Sequence, residues 1–449
     1  MRGKIVCQAR STTVKKLILV LIVVTTVGIP AAAQTAAPQA AASPSVAQTA
    51  ASWMNEADRP RFDSLRKSGV EALYNLDYDK ALKDFKELVR LYPNHPAGPQ
   101  LQAARVWIKT LYETRRLQAS LYSSESFYSS GEDKVDPKII AEFRNFTREA
   151  KRLAEARLKQ SPKDVEALYW LGAIEGLKAS FEEAVERRHF AALRDGNDSV
   201  DHHREVMKLD PEFIDAGITV GLYEYVVGSL PLPIKVVAGI TGFRGSKKKG
   251  LALIERVATE GNWAHDDART LLIVLYTREK RYADALGHAR ALSEKYPRNY
   301  LYRLEAADAL VSQAEVERTN KNTAAAVKAE REAFAIFDDL LHDRSVRDTV
   351  SRALDLVHFK YGEVLLTAGE GERAAKEFLA ATKVEHAEPA LVTMAHLYAA
   401  RAFDLAGKRD EAMAQYREVL TRPDIYAAHD EAKKGLRQPY KTEVASSGL

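Results

Sequence analysis

The side chains able to do chemistry bound this 449-residue chain first. It has eleven His and one Cys, Cys7, so neither a disulfide framework nor a cysteine-based zinc site is available. His202 and His203 stand side by side with Asp198, Asp201 and Glu205 nearby. Neighbours on a helix point about 100° apart and serve one metal poorly, and the His-Glu-x-x-His spacing is absent. His265-Asp266-Asp267 opens a helical segment, where Asp is favoured for capping and for the helix dipole. These histidines read as solvated or capping residues, and no metal ligand is assigned.

Phosphate and acyl chemistry fare no better. The turn after Gly239 has Arg244 where a phosphate loop needs its second Gly, and no strand precedes it. No Gly-x-Ser-x-Gly elbow occurs, and Ser123, Ser124, Ser126, Ser129 and Ser130 belong to a polar loop. Acid pairs such as Glu182-Glu183 lie on helical surfaces, though a glycosidase-like pair meeting across a groove stays open as an alternative. The expectation is a protein without catalytic residues or cofactor.

Net charge is +4, from 66 basic and 62 acidic residues. Arg2, Lys4, Arg10, Lys15 and Lys16 precede residue 34 with no acid among them, and without them 61 basic face 62 acidic residues. A polyanion-binding chain shows a basic excess, so nucleic acid is not an expected partner.

Those first residues also have the layout of a secretory leader. A basic stretch ends at Lys15-Lys16, an apolar run covers Leu17 to Val24, and Pro30 precedes Ala31-Ala32-Ala33. Small residues at these places form a cleavage site after Ala33. The 14 residues from Leu17 to Pro30 fall short of the ~20 that span a bilayer. Residues 1–33 are thus expected to be a signal peptide and 34–58 a disordered Ala/Pro/Gln-rich linker. The expected location is periplasmic or secreted. Cys7 leaves with the leader.

Beyond residue 58, apolar residues recur at three- and four-residue spacing, and Pro or Gly punctuates the segments. Phe62 to His95 places Gly69 and Ala72 in a first helix, then Tyr78, Ala81, Phe85 and Leu88 in a second, with Pro93 after it. The frame returns at Asp266–Asn299, Asp355–Glu388 and Thr393–Tyr426, where YADALGHA, GERAAKEF and RDEAMAQY repeat the YDKALKDF of the first copy. Small residues suit a close helix crossing, and Phe85 suits the space between hairpins. The pattern resembles the 34-residue tetratricopeptide repeat. That resemblance implies an all-α, tetratricopeptide-like right-handed α-solenoid of antiparallel helix pairs. The expected layout is repeats over 59–211, a Gly-rich apolar helical insert over 212–262, repeats with a capping helix over 263–438, and a disordered tail over 439–449.

The insert is the departure. Residues 213–250 hold seven Gly and two Pro with few charges. One reading is a buried helical hairpin in which Gly permits close contact. Another is a membrane-surface or lipid contact beside Lys247-Lys248-Lys249. Gly221, Leu230, Pro231, Gly242, Phe243, Gly245, Gly250 and Leu251 give the segment a resemblance to the inclusion-body clearance family of tetratricopeptide proteins, implying a shared helical scaffold.

What remains is binding. First helices of such repeats line a groove, and the frame places Arg66, Val70, Leu73 and Tyr74, then Tyr169 and Leu177, on it. Later copies add Thr270, Val274 and Arg278, then Phe359, Glu363 and Leu366, then Leu397, Arg401 and Asp404. Arg66, Tyr74, Tyr169, Arg278, Phe359 and Arg401 are the candidate contacts, with Tyr223, Tyr225 and Phe243 in the insert. The expected function is an exported, non-catalytic scaffold holding a protein or peptide. Alternatives are an envelope-assembly or lipid-associated factor using 213–250, and a cryptic hydrolase.

Overall fold

The computed structural model describes residues 53–118, 135–230, 244–342 and 350–441. The leader 1–33, insert residues 231–243 including Phe243, the whole polar loop 123–134 and the tail residues 442–449 lie outside them. Every regular element among the described residues is helical, which makes the chain an all-α helical repeat fold.

The helices are α1 (Arg59–Tyr74), α2 (Tyr78–Leu91), α3 (Ala97–Glu113), α4 (Pro137–Gln160), α5 (Val165–Phe181) and α6 (His189–Leu209). The insert contributes α7 (Gly217–Gly228) and α8 (Lys247–Glu260). Then come α9 (His265–Arg278), α10 (Tyr282–Lys295), α11 (Tyr300–Thr319), α12 (Thr323–His342) and α13 (Leu354–Thr367). The series ends with α14 (Gly371–Ala381), α15 (Pro389–Leu405), α16 (Arg409–Leu420) and α17 (Ala428–Arg437).

Five pairs close with one kind of turn. After α1, α9, α11, α13 and α15 a left-handed residue reverses the chain: Leu76, Lys280, Lys321, Gly369 and Gly407. The next N–H donates to the carbonyl five residues back, from Asp77 to Ala72, Arg281 to Tyr276, Asn322 to Glu317, Glu370 to Leu365 and Lys408 to Phe403, each at 2.8 Å. This satisfies a carbonyl that the helix end leaves open. At Leu76, Lys280 and Lys321 the turn carries the left-handed steric cost of about 1–2 kcal/mol, which the glycines avoid.

Within a pair, a small residue on the first helix admits an aromatic ring from the second. A Cβ at Gly362 would lie 2.7 Å from the Phe378 ring, and Gly69 faces Phe85 in the same way. Both rings are fully buried, each contributing about 2–3 kcal/mol by removal from water.

The chain divides into two compact units. The N-terminal unit takes the described residues up to Leu73, Asp77–Trp107 and Val135–Ala268. In it Phe143 on α4 stacks on Phe181 of α5 at 3.8 Å, and Ser199 on α6 donates to the Gly172 carbonyl of α5 at 2.7 Å. The insert helices α7 and α8 cross at Gly221 and Gly250, where a Cβ on Gly250 would meet the Gly221 carbonyl at 2.5 Å. Buried Asp215 accepts from the N–H groups of Asn262, Trp263 and Ala264 at 3.2, 2.9 and 2.8 Å, tying the start of the insert to the residues that follow it.

The C-terminal unit takes Tyr74–Leu76, the described residues from Ile108 to Gln118, and everything from Arg269 onward. It joins residues far apart in sequence. Tyr74 stacks on Tyr296 at 4.8 Å, and Asn299 donates to the Tyr74 carbonyl at 2.7 Å. Buried Arg115 pairs with Asp355 at 3.1 Å, while Asp355 also accepts from the Glu388 N–H at 2.9 Å.

Two of the expected boundaries fall within packed residues. Within the stretch expected as linker over 34–58, Met54 is buried and Trp53 packs on His95 at 4.7 Å. Within the stretch expected as tail over 439–449, the Tyr440 N–H donates to Asp404 at 2.7 Å.

Candidate ligand-binding faces

In the N-terminal unit the structure brings Arg66 and Tyr169 to one aromatic cluster. The Arg66 guanidinium lies over Trp263 at 5.3 Å, and Trp263 also packs on Tyr169 and Trp170 at 5.2 and 5.3 Å. Tyr169 is 7% exposed between Trp263, Phe213 and His203. Its expected place as a groove contact is therefore corrected: its ring is core, because α5 packs closely on α6 and on the loop before α9. His203 is buried beneath it, 3.1 Å from the Tyr169 carbonyl, and burial pushes its imidazole down to about 4.

A charged group edges the same cluster. Arg59 on α1 donates to both oxygens of Glu166 on α5, at 3.2 and 2.8 Å. His95 stands 3.4 Å from Glu166, with its Nδ1 accepting from the Ala97 N–H at 3.1 Å. Burial alone would raise the Glu166 pKa, but His95 and Arg59 outweigh it and hold the carboxylate down to about 2. A depressed carboxylate stabilises the fold above its unfolded value, and that contribution disappears as pH falls from about 4.5 toward 2. With Arg59 39% exposed and screened by solvent, the expected loss is about 1–2 kcal/mol. Urea unfolding at a series of pH values should show Glu166→Gln starting lower at pH 7 and declining less in acid. Parallel curves would remove this pair from the account.

The expected solvated roles of His202 and His203 also change. His202 meets Glu175 at 2.8 Å, and Glu175, 2% exposed, receives Lys151 at 3.0 Å. Asp195 pairs with Lys178 at 2.5 Å and Glu182 with Arg188 at 3.4 Å. These buried acids thus have basic partners within the α4–α6 packing. Among the described residues no group of three or more His, Cys, Asp or Glu is arranged to hold a metal ion.

In the insert, Tyr225 is corrected from contact to core: it is 2% exposed where α7 and α8 cross. Tyr223 is half-buried beneath the Arg204 guanidinium at 4.6 Å. No described helix is long and apolar enough to cross a membrane.

The C-terminal unit holds the remaining candidates. Phe359 is a further correction, 2% exposed against Phe378 and Tyr398 at 5.2 and 5.4 Å. Tyr74 has one ring face covered by Tyr296, and Arg278 is exposed at the end of α9. Arg401 lies over Tyr398 at 5.3 Å and over Tyr440 at 5.0 Å, and donates to Glu431 on α17 at 2.8 Å. Beside it, α13 buries Lys360 between Asp308 of α11 at 2.9 Å and Glu363 at 2.8 Å. Burial would lower the Lys360 pKa, but the two acids outweigh it and hold the ammonium above its ordinary value. Burial raises Glu363 against the opposing pull of Lys360.

Successive first helices α11, α13 and α15 thus carry one row of ionic and aromatic groups. Lys360, Asp308, Tyr398 and Tyr440 were absent from the expected site. Lys360 follows Phe359 directly, so a helical frame that turns one toward the groove turns the other away. Tyr440 lies beyond the last helix, where no periodicity marks it.

A tetratricopeptide repeat family model matches residues 63–95 and 394–424, which cover the α1–α2 and α15–α16 pairs. No curated protein matches the chain in sequence. Among solved structures it is similar to the human IFIT1 dimer with PPP-AAAA, at 15% identity and a TM-score of 0.42, over 86% of each chain. It is also similar to yeast Tom70, at 12% identity and a TM-score of 0.32, over 85% of this chain and 96% of that one. Repeats of this type build helical scaffolds that hold proteins or other ligands. Five helix pairs close with one turn, and the family model matches two of them, so the chain carries tetratricopeptide repeats at residues 63–95 and 394–424 within an all-α helical repeat fold.

Proposed function

We propose that the chain is an exported, non-catalytic scaffold that binds an extended protein segment along the first helices of its C-terminal unit. The observation that carries this reading is the row formed by Asp308, Lys360 and Glu363, then Tyr398 and Arg401, on α11, α13 and α15. Mixed ionic and aromatic groups on adjacent helices suit a peptide chain, whose backbone and side chains need both. The insert is a weaker candidate, because Tyr225 and the Gly221–Gly250 crossing serve its own packing. Once the basic leader is removed the charges nearly balance, which favours protein over nucleic acid as the partner.

Export supplies the setting. Cleavage after Ala33 would leave Gln34 at the N-terminus, followed by an uncharged Ala, Gln, Pro and Ser stretch suited to a tether. Mass spectrometry of the protein from an exporting host should find Gln34 first. An intact Met1 would end the export reading.

Cross-linking tests the binding face. A photoactivatable residue at Leu366, one turn beyond Glu363, should trap a discrete protein in the envelope fraction. The same group at Lys376, exposed on the second helix α14, should not. Equal trapping at both positions, or none at Leu366, would reject the face.

A further inference from the structure

The last described residues of the chain behave as a bound peptide would. Gln438 is extended, and Gln438, Pro439 and Lys441 are exposed. Tyr440 between them is half-buried. Its N–H donates to Asp404 Oδ2 at 2.7 Å, and its ring covers the Arg401 guanidinium at 5.0 Å. Pro439 has no N–H, so Tyr440 supplies the donor at this step of the chain.

The seat is built from other elements. The Asp404 side chain is fully buried. Arg409 donates to its Oδ1 at 2.8 Å, and the Tyr416 hydroxyl donates to Oδ2 at 2.9 Å. Arg409 also donates to the Gly435 and Leu436 carbonyls at 2.7 and 3.1 Å, fixing the end of α17. Arg401 is held over Tyr398 and against Glu431. None of these bonds uses residues 438–441. They leave Asp404 Oδ2, which already accepts from Tyr416, able to accept one further N–H, next to a guanidinium face able to take one further ring. An empty seat would leave that oxygen without its second donor, so exchange for a similar segment costs less than opening.

We propose that Asp404 and Arg401 form a recognition seat for an extended segment with a Pro-Tyr anchor, and that the chain's own residues 438–441 occupy it until a partner protein bearing such an anchor displaces them. This rests on the binding reading above and names the chemistry of the partner. A tethered occupant competes at an effective concentration of about millimolar, so the seat discriminates against weak ligands and yields to strong ones.

The probe is a labelled peptide covering residues 436–449, titrated into the full chain and followed by fluorescence anisotropy. Wild type should bind it weakly because its own tail competes. Tyr440→Ala should bind it at least about tenfold more tightly, since its tethered occupant has lost the anchor. Adding Arg401→Ala to that variant, or replacing the peptide's tyrosine by alanine, should abolish the gain. A folded Tyr440→Ala chain that binds no better than wild type overturns the proposal and makes the segment a fixed cap. Hydrogen exchange on the wild type gives an independent reading. The Tyr440 amide should exchange through local opening, faster than the α15 core, and exchange only on global unfolding would also overturn it. The cross-link at Leu366 does not depend on Tyr440, so the wider binding face can survive when this seat fails.

Discussion

Gly250→Val is expected to destabilise the chain by about 4 kcal/mol or more, enough to leave it largely insoluble. A Cβ at Gly250 would sit 2.5 Å from both the Gly221 carbonyl and the Tyr225 nitrogen. Both are backbone atoms of α7, so no rotamer can relieve the clash and the helices must separate. Overpacking of side chains typically costs 1–3 kcal/mol, and parting α7 from α8 would also expose Tyr225, Ile254 and Val257, all now buried. Gly287→Ala is the matched control. Its helix is α10, with nothing within 4 Å of the new methyl, so the change should be neutral or stabilise by about 0.5 kcal/mol. Urea midpoints decide the matter, and a Gly250→Val chain unfolding close to wild type would show that the α7–α8 crossing is not what holds the insert.

Lys360→Met should cost about 3 kcal/mol. The Lys360 side chain is 9% exposed, and its removal leaves Asp308 and Glu363 facing each other without their shared cation. Breaking a buried pair costs 3–5 kcal/mol. The lower end applies because the acids are 21% and 29% exposed and keep some water. The penalty has a pH signature. Burial already raises the Glu363 pKa, and losing Lys360 raises it further. A carboxylate raised above its unfolded value contributes stability that is present at low pH and lost as pH rises through the folded value. The deficit against wild type should therefore shrink between pH 7 and pH 5, and a deficit that grew in acid would contradict the buried triad.

The helix pairs were legible because their causes are local. Gly69 with Phe85 and Gly362 with Phe378 recur at one spacing, since a ring from the second helix needs a gap on the first wherever a pair forms. Spacing could not rank the faces of a helix by exposure. Tyr169 and Phe359 fit the groove positions of their frames, yet neighbouring rings bury both: Trp263 and Phe213 around Tyr169, Phe378 and Tyr398 around Phe359. Arg401 fitted its frame as well, and a guanidinium that keeps one end in water can serve both packing and contact.

The sequence by itself determined the helical class and the repeat frame, because each depends on residues close in the chain or on side-chain volume, and it left the insert open between a buried helical hairpin and a membrane-surface contact. Tertiary structure alone decided that Arg59 meets Glu166, that Tyr74 meets Tyr296, that Arg115 meets Asp355, and that Tyr440 returns to Asp404. Repeat periodicity specifies how a hairpin sits on its neighbour. It holds no information about which distant side chains those accumulated rotations finally bring within hydrogen-bonding distance.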